Sequence, residues 1–321
     1  MPLLVRRTVP FVRDAAQAEA DDHSIKAGNA DSRLSEAWPG RAQVRNRPGI
    51  FPACSNPRCR SGWLHLWRRR EVPVFEGGWC CSAACTAAQI EAALAREMDA
   101  RGSARESHRH RIPLGLAMLE QGWVTQEQLR AALRAQRAAG AGKLGGWLVR
   151  QRSVTEEQVT RALGLQWGSP VLGMEFHNPE GLMALVPRLF VDAFGALPLR
   201  VAAGKILYLG FEDRLDPALA LAVERMTGLH VESGLVRESE FRPAHARLLE
   251  ARFPAVELVE AATEPALAAA LAKAVERAAP VEARLIRVHD CLWLRMWLRP
   301  QSGPVPEPGS VRDLIGSTCS H

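Results

Sequence analysis

Five of the seven cysteines in this 321-residue chain lie between Cys54 and Cys85: Cys54, Cys59, Cys80, Cys81 and Cys85. Thiols so close together either pair as disulfides or bind a soft metal ion as thiolates. The chain starts Met1-Pro2-Leu3-Leu4-Val5-Arg6-Arg7, with basic residues after the apolar ones, the reverse of a secretory signal. A reducing cytoplasm is therefore expected, and with it metal binding. Cys54-x4-Cys59 and Cys81-x3-Cys85 are two close pairs able to meet as a tetrahedral set of four, the ligand set of a structural zinc ion. Cys80 can replace Cys81, and His65 can replace any one cysteine. Trp63, Trp67 and Trp79 are expected to pack around the ion, because so short a segment has little other core.

Other chemistry is hard to find. No Gly-x4-Gly-Lys-Ser/Thr phosphate loop occurs; Gly142-Lys143-Leu144 and Gly204-Lys205-Ile206 lack both the hydroxyl and the spacing. No Ser-His-Asp set or catalytic carboxylate pair follows from local spacing, so no enzyme is expected. Asp213 and Asp216 read as a turn residue and a helix N-cap. His177 and His230 are read as structural, and His108 and His110 as solvated residues of a linker.

The net charge of +6 is uneven. Residues 1–112 hold 18 Lys/Arg against 12 Asp/Glu, and residues 113–321 hold 23 of each. Eight arginines and no acid lie between Trp38 and Arg70. They either offset metal-bound thiolates or attract nucleic acid or an acidic protein surface. The second alternative is a nucleic-acid-binding zinc module whose contacts include Arg68–Arg70. No apolar run reaches the roughly 18 residues a spanning helix needs, so no membrane insertion is expected.

The elements that would position a site are clearest where the chain repeats itself. Laying Pro113–Gln136 beside Lys143–Gln166 pairs Leu114 with Leu144, Gly115 with Gly145, Leu119 with Val149, Thr125 with Thr155, Leu129 with Val159, Leu133 with Leu163 and Gln136 with Gln166. So many matches at one offset indicate a duplication. Each copy reads as a helical hairpin. A short helix, Leu114–Gln121 in the first copy, ends at Gly122. Thr125…Gln128 and Thr155…Gln158 are capping boxes that open a second helix.

At these residues the chain resembles the MshEN-type N-terminal domain of type II secretion and type IV pilus assembly ATPases. The likeness continues through Ala184–Phe190, Phe194–Leu199, Lys205–Phe211 and Asp216–Gly228. The resemblance implies binding of cyclic di-GMP, a two-fold symmetric dinucleotide suited to a duplicated motif. By position, one contact set is Leu114, Gly115, Met118, Leu119, Gly122, Leu129, Leu133 and Gln136. The other is Lys143, Leu144, Gly145, Leu148, Val149, Val159, Leu163 and Gln166. Pro113 and Lys143 stand where the motif has arginine, and Arg152 where it has glycine. Arg111 is placed to compensate for Pro113. The alternative is that these leucines are hairpin core and the copy is structural. Trp79–Cys85 separately resembles half of the FCS/MYM-type zinc modules.

The expected fold class is α+β: an N-terminal zinc-binding module, tandem helical hairpins packed on a small α/β layer, and a C-terminal strand-helix-hairpin. Residues 1–50 are expected as a disordered leader, or as the product of a misassigned start. The zinc module plus a helix spans 51–100, a linker 101–111, the MshEN-like domain 112–254, an α/β extension 255–300 and a flexible tail 301–321. In that extension, arginines alternating with apolar residues predict a hairpin wet on one face. The function expected is a non-catalytic regulatory or adaptor protein that binds cyclic di-GMP or docks to a secretion or pilus machine.

Overall fold

A computed structural model describes residues 54–60, 74–99, 111–175, 178–307 and 309–318. The expected leader, His65, Trp63, Trp67, Arg68–Arg70, the linker histidines His108 and His110, His177 and Cys319 lie outside the described residues. The first regular elements are the strands β1 (Val74–Phe75) and β2 (Gly78–Trp79) and the helix α1 (Ala83–Asp99). Two helical hairpins follow, α2 (Leu114–Glu120) with α3 (Gln126–Ala139), and α4 (Leu144–Arg150) with α5 (Glu156–Trp167). The short α6 (Pro179–Leu182) and α7 (Arg188–Phe194) lead into β3 (Ala196–Ala202), β4 (Ile206–Phe211), α8 (Pro217–Thr227), β5 (His230–Leu235) and α9 (Glu238–Glu250). The last third is β6 (Val256–Ala261), α10 (Glu264–Ala278), β7 (Glu282–Val288), β8 (Cys291–Trp297) and β9 (Val311–Thr318).

Among the described residues the fold is α+β with two sheets. The smaller has the order β3-β4-β5, antiparallel then parallel. Val171 adds an isolated parallel bridge to Leu235. The larger sheet has the order β2-β1-β7-β8-β9-β6. Its strands come from both sides of the 111–254 segment in sequence, so that segment is an insertion into the domain built around this sheet. This revises the expected division into a separate cysteine module and a separate extension. β1 pairs with β7, and α1 packs on α10, because α1 presents Ile90, Ala93 and Leu94, which need an apolar partner surface.

Each face of the large sheet has its own core. Phe75, Ala283, Leu285, Leu292, Leu294 and Leu314 meet α1 and α10. Ile286, Val288, Trp293, Trp297, Val311 and Ile315 join the core of the inserted segment, with Phe190, Leu207, Leu209, Phe211 and Val223.

Two further expectations are corrected here. Residues 301–321 are not simply a loose tail, since β9 lies between β8 and β6 with partners on both sides. The hairpin β7–β8 is not wet on one face along its length either. Arg295 is buried, paired with Asp313 of β9 at 2.8 Å. Its charge is matched by a strand that the Pro- and Gly-rich composition around it conceals.

Candidate functional site

The duplication is a geometric one. Thr125 caps α3 and Thr155 caps α5, each with both bonds of the capping box. The turn between the helices of each copy has the same left-handed residue, Gly122 at φ 68° and Arg152 at φ 55°. Arg152 therefore adopts the conformation that its glycine counterpart takes freely, at a cost of roughly 1 kcal/mol.

The two copies also hold each other reciprocally. Gln136 Nε2 donates to the Gly142 carbonyl at 2.7 Å, and Gln166 Nε2 to the Ile112 carbonyl at 2.9 Å. Both pairs are related by the repeat offset, so each copy's glutamine fastens the start of the other copy's short helix. The glycines obey the same rule. A Cβ on Gly115 would lie 2.9 Å from Leu129 and 3.5 Å from Leu144, and one on Gly145 would lie 2.6 Å from Val159 and 3.7 Å from Leu114. Each short helix packs mainly on the long helix of the other copy.

Most residues proposed to contact a ligand build this interlock. Met118 and Leu148 are fully buried, and Gly115, Gly145 and Leu129 are buried. Leu114, Leu119, Leu133, Leu144, Val149 and Val159 pack partly exposed around that core. Leu163 packs on the neighbouring core, while Gly122 is exposed. The cations are engaged as well. Lys143 Nζ contacts Glu212 at 2.6 Å and Asp213 at 2.8 Å. Burial works against its charge, but the two carboxylates hold its pKa above the usual lysine value. Arg111 lies 3.3 Å from the centroid of the Trp167 ring. Glu212, which also pairs with Arg242, was missed from the sequence. Nothing local marks it, since its cations come from α4's N-cap and from α9.

The copies differ on the outer face of the long helix. In α5, Thr160 and Gly164 are buried and Trp167 packs on the inserted segment's core, its Nε1 donating to the Asp213 carbonyl. The equivalent positions in α3 are Arg130, Arg134 and Arg137, all exposed. One copy uses this face internally, and the other turns an arginine ridge outward.

Cys54, Cys59, Cys81 and Cys85 form the second site, with sulfurs all within 4.8 Å of one another. Cys59–Cys81 measures 3.5 Å and Cys81–Cys85 3.6 Å, near the ~3.8 Å between sulfurs that share a tetrahedral zinc ion. The donor set fits such an ion. Cys81 and Cys85 are placed by the start of α1, and Ser55 N–H bonds to the Trp79 carbonyl to bring up the first pair. Burial pushes the Cys54 thiol up to about 12 and raises Cys81. In these two residues burial favours the protonated thiol, whose proton a bound cation would displace. Cys80 points into the core beside them and is outside the cluster. Trp79 packs partly buried against the same core.

No family model matches the chain. Bacteriophage adsorption protein B of Escherichia coli K12 is 34% identical over 125 residues, which is 39% of this chain and 16% of that protein. Type IV pilus assembly ATPase PilB of Thermus thermophilus is 31% identical over 139 residues, 42% of this chain and 15% of PilB. The similarity to PilB agrees in kind with the resemblance of residues 112–254 to the N-terminal domain of secretion and pilus ATPases. The chain spans about a sixth of these relatives. Among solved structures, that of MshE with cdg covers 43% of this chain and 99% of its own, at 23% identity and a TM-score of 0.35. The N-terminal domain of XpsE gives 42%, 92%, 23% and 0.29. The match to PilB leaves most of that ATPase outside it.

Proposed function

We propose that this chain is a non-catalytic, cytoplasmic regulatory or docking protein whose MshEN-type domain binds cyclic di-GMP. The observation that carries this reading is the reciprocity of the two copies, Gln136 to Gly142 and Gln166 to Ile112, with Gly115 and Gly145 each approached by both copies. A two-fold symmetric ligand is matched by a two-fold arrangement of helix starts, where backbone N–H groups suit phosphates. The ligand set is that proposed from the motif, from Leu114 to Gln136 and from Lys143 to Gln166. Binding through Lys143 exchanges Glu212 and Asp213 for a phosphate. The four cysteines hold one structural zinc ion; a closed four-sulfur shell leaves no position for water.

Calorimetric titration of cyclic di-GMP into the full chain tests this, with Leu133→Asp as a control whose folding is checked by circular dichroism. Saturable binding lost in a folded control supports the receptor. No heat at high ligand sinks it.

A second reading, docking to a secretion or pilus component, is favoured by the ridge of Arg130, Arg134 and Arg137, which the second copy replaces with a packed face. The nucleic-acid alternative gains no support from these findings and is not carried further.

A further inference from the structure

α1 has a cysteine cluster at one end and a buried carboxylate at the other. Cys81 precedes the helix and Cys85 lies in its first turn, while Glu97 lies in its last. The Glu97 side chain is 4% exposed. It accepts from Arg225 Nη2 at 2.7 Å, Arg225 Nη1 at 3.3 Å and the Arg287 backbone N–H at 3.1 Å, and Arg96 adds a contact at 3.3 Å. Arg225 belongs to α8 of the MshEN-type domain and Arg287 to β7 of the large sheet. Three parts of the chain therefore meet on one carboxylate: the arm 54–99, the sheet and the inserted domain.

The described parts of the arm, 54–60 and 74–99, have few internal means of order. β1 and β2 are two residues each, and so short a hairpin is not stable alone. The 54–60 segment is tied on by Ser55 N–H to Trp79 O and by Gln89 Nε2 to Ser55 O at 3.2 Å. What the arm does have is four thiols from two stretches, 54–59 and 81–85, converging within 4.8 Å. A metal ion there joins the loop, the hairpin and the start of α1 into one unit, since metal binding and folding are coupled in such small sites. Only an ordered arm presents Ile90, Ala93 and Leu94 to α10 and places Glu97 at the junction.

Resting on the reading that the cysteines hold zinc, we propose that zinc loading orders the 54–99 arm on the large sheet and thereby fixes, through Glu97, how the MshEN-type domain is attached. The metal site is then a clamp on the regulatory domain's mounting and not an independent module.

The test is hydrogen–deuterium exchange on the full, reduced chain, zinc-loaded and then stripped with a chelator, with zinc content measured in parallel. The expected result is one zinc per chain. Stripping then speeds exchange at least tenfold in peptides over 83–99, 217–227 and 282–288, leaves 126–139 and 156–167 unchanged, and is reversed by added zinc. Glu97→Gln should keep its zinc yet show the fast 217–227 exchange in the loaded state. Cys85→Ser should lose zinc and show all three changes. Stoichiometric zinc whose removal leaves 217–227 and 282–288 unchanged overturns the clamp but not the metal site. No zinc in the reduced chain overturns both. Loss of protection throughout the chain on stripping overturns the clamp in favour of a general role in folding.

Discussion

Arg295 and Asp313 stand directly opposite each other on β8 and β9, with Nε and Nη2 each 2.8 Å from a carboxylate oxygen. Neither side chain reaches solvent. Trp293 Nε1 donates to the same carboxylate at 2.8 Å, and Arg295 Nη1 donates to the Leu185 carbonyl of the inserted segment at 3.0 Å. The pair thus binds two strands together and reaches across to the inserted domain. Removing one partner strands a buried charge. Asp313→Asn or Arg295→Met should each cost about 3–5 kcal/mol in urea denaturation, while the double replacement Arg295→Met/Asp313→Leu should recover most of that loss. A double variant that loses the sum of the two single losses would show that the charges are not coupled.

Arg152 is the left-handed residue of the second hairpin turn at φ 55°. Arg152→Gly relieves the Cβ strain but adds freedom to the unfolded chain, so the net gain should be about 0.5–1 kcal/mol. The reciprocal Gly122→Arg should lose a similar amount. Denaturant midpoints of the two variants, compared at constant m, check the pair.

Equivalent positions in the two copies should respond in opposite ways. A Cβ on Gly164 would lie 2.9 Å from the Ser169 carbonyl oxygen, so Gly164→Ala should destabilise by more than about 1 kcal/mol despite alanine's better helix propensity. Arg134→Ala, one repeat earlier on an exposed face, should stay within about 0.5 kcal/mol of the parent. Thermal melts of the two variants should therefore separate clearly, and coincident melts would contradict the packed-versus-free assignment.

Glu97 ties stability to pH. Burial disfavours its charge, yet Arg225, the Arg287 N–H and Arg96 outweigh that and hold its pKa below the usual 4.5. A carboxylate with a depressed folded-state pKa stabilises fully above its unfolded value, and that contribution fades as pH falls through the folded value. Glu97→Gln should thus lower the urea midpoint at pH 7 and make progressively less difference below about pH 4.5. A difference that is constant from about pH 7 to about pH 3 would count against the ionic role.

Much of the inserted segment was legible in the sequence because its signals are local. The capping boxes at Thr125 and Thr155, Asp216 as the N-cap of α8 and the turn near Asp290 depend on residues a few positions apart. The repeat offset exposed the two hairpins. It did not show that Gln136 and Gln166 fasten the opposite copy, since that depends on how the copies cross. His230, read without a partner, pairs with Glu224 and Glu232. Its strand-mate Glu232 was within reach of sequence reasoning, but Glu224 required the α8–β5 packing. The long-range features were illegible for one common reason. Arg295, Asp313, Glu97 and Arg225 acquire meaning only when distant stretches of chain share a surface, and β9 sits within a composition that reads as coil.

The position of β9 sets a timetable. β6 and β8 are synthesised first but do not touch; the slot between them is filled by residues 311–318. On the ribosome, the inserted segment emerges complete and can fold while the sheet that carries it is still an open framework. Until Val311–Thr318 emerge, Arg295 has no counter-charge and the exposed edges of β6 and β8 are available to other chains. Translational pausing late in the message, or truncation before Val311, would leave a finished inserted segment attached to an aggregation-prone base.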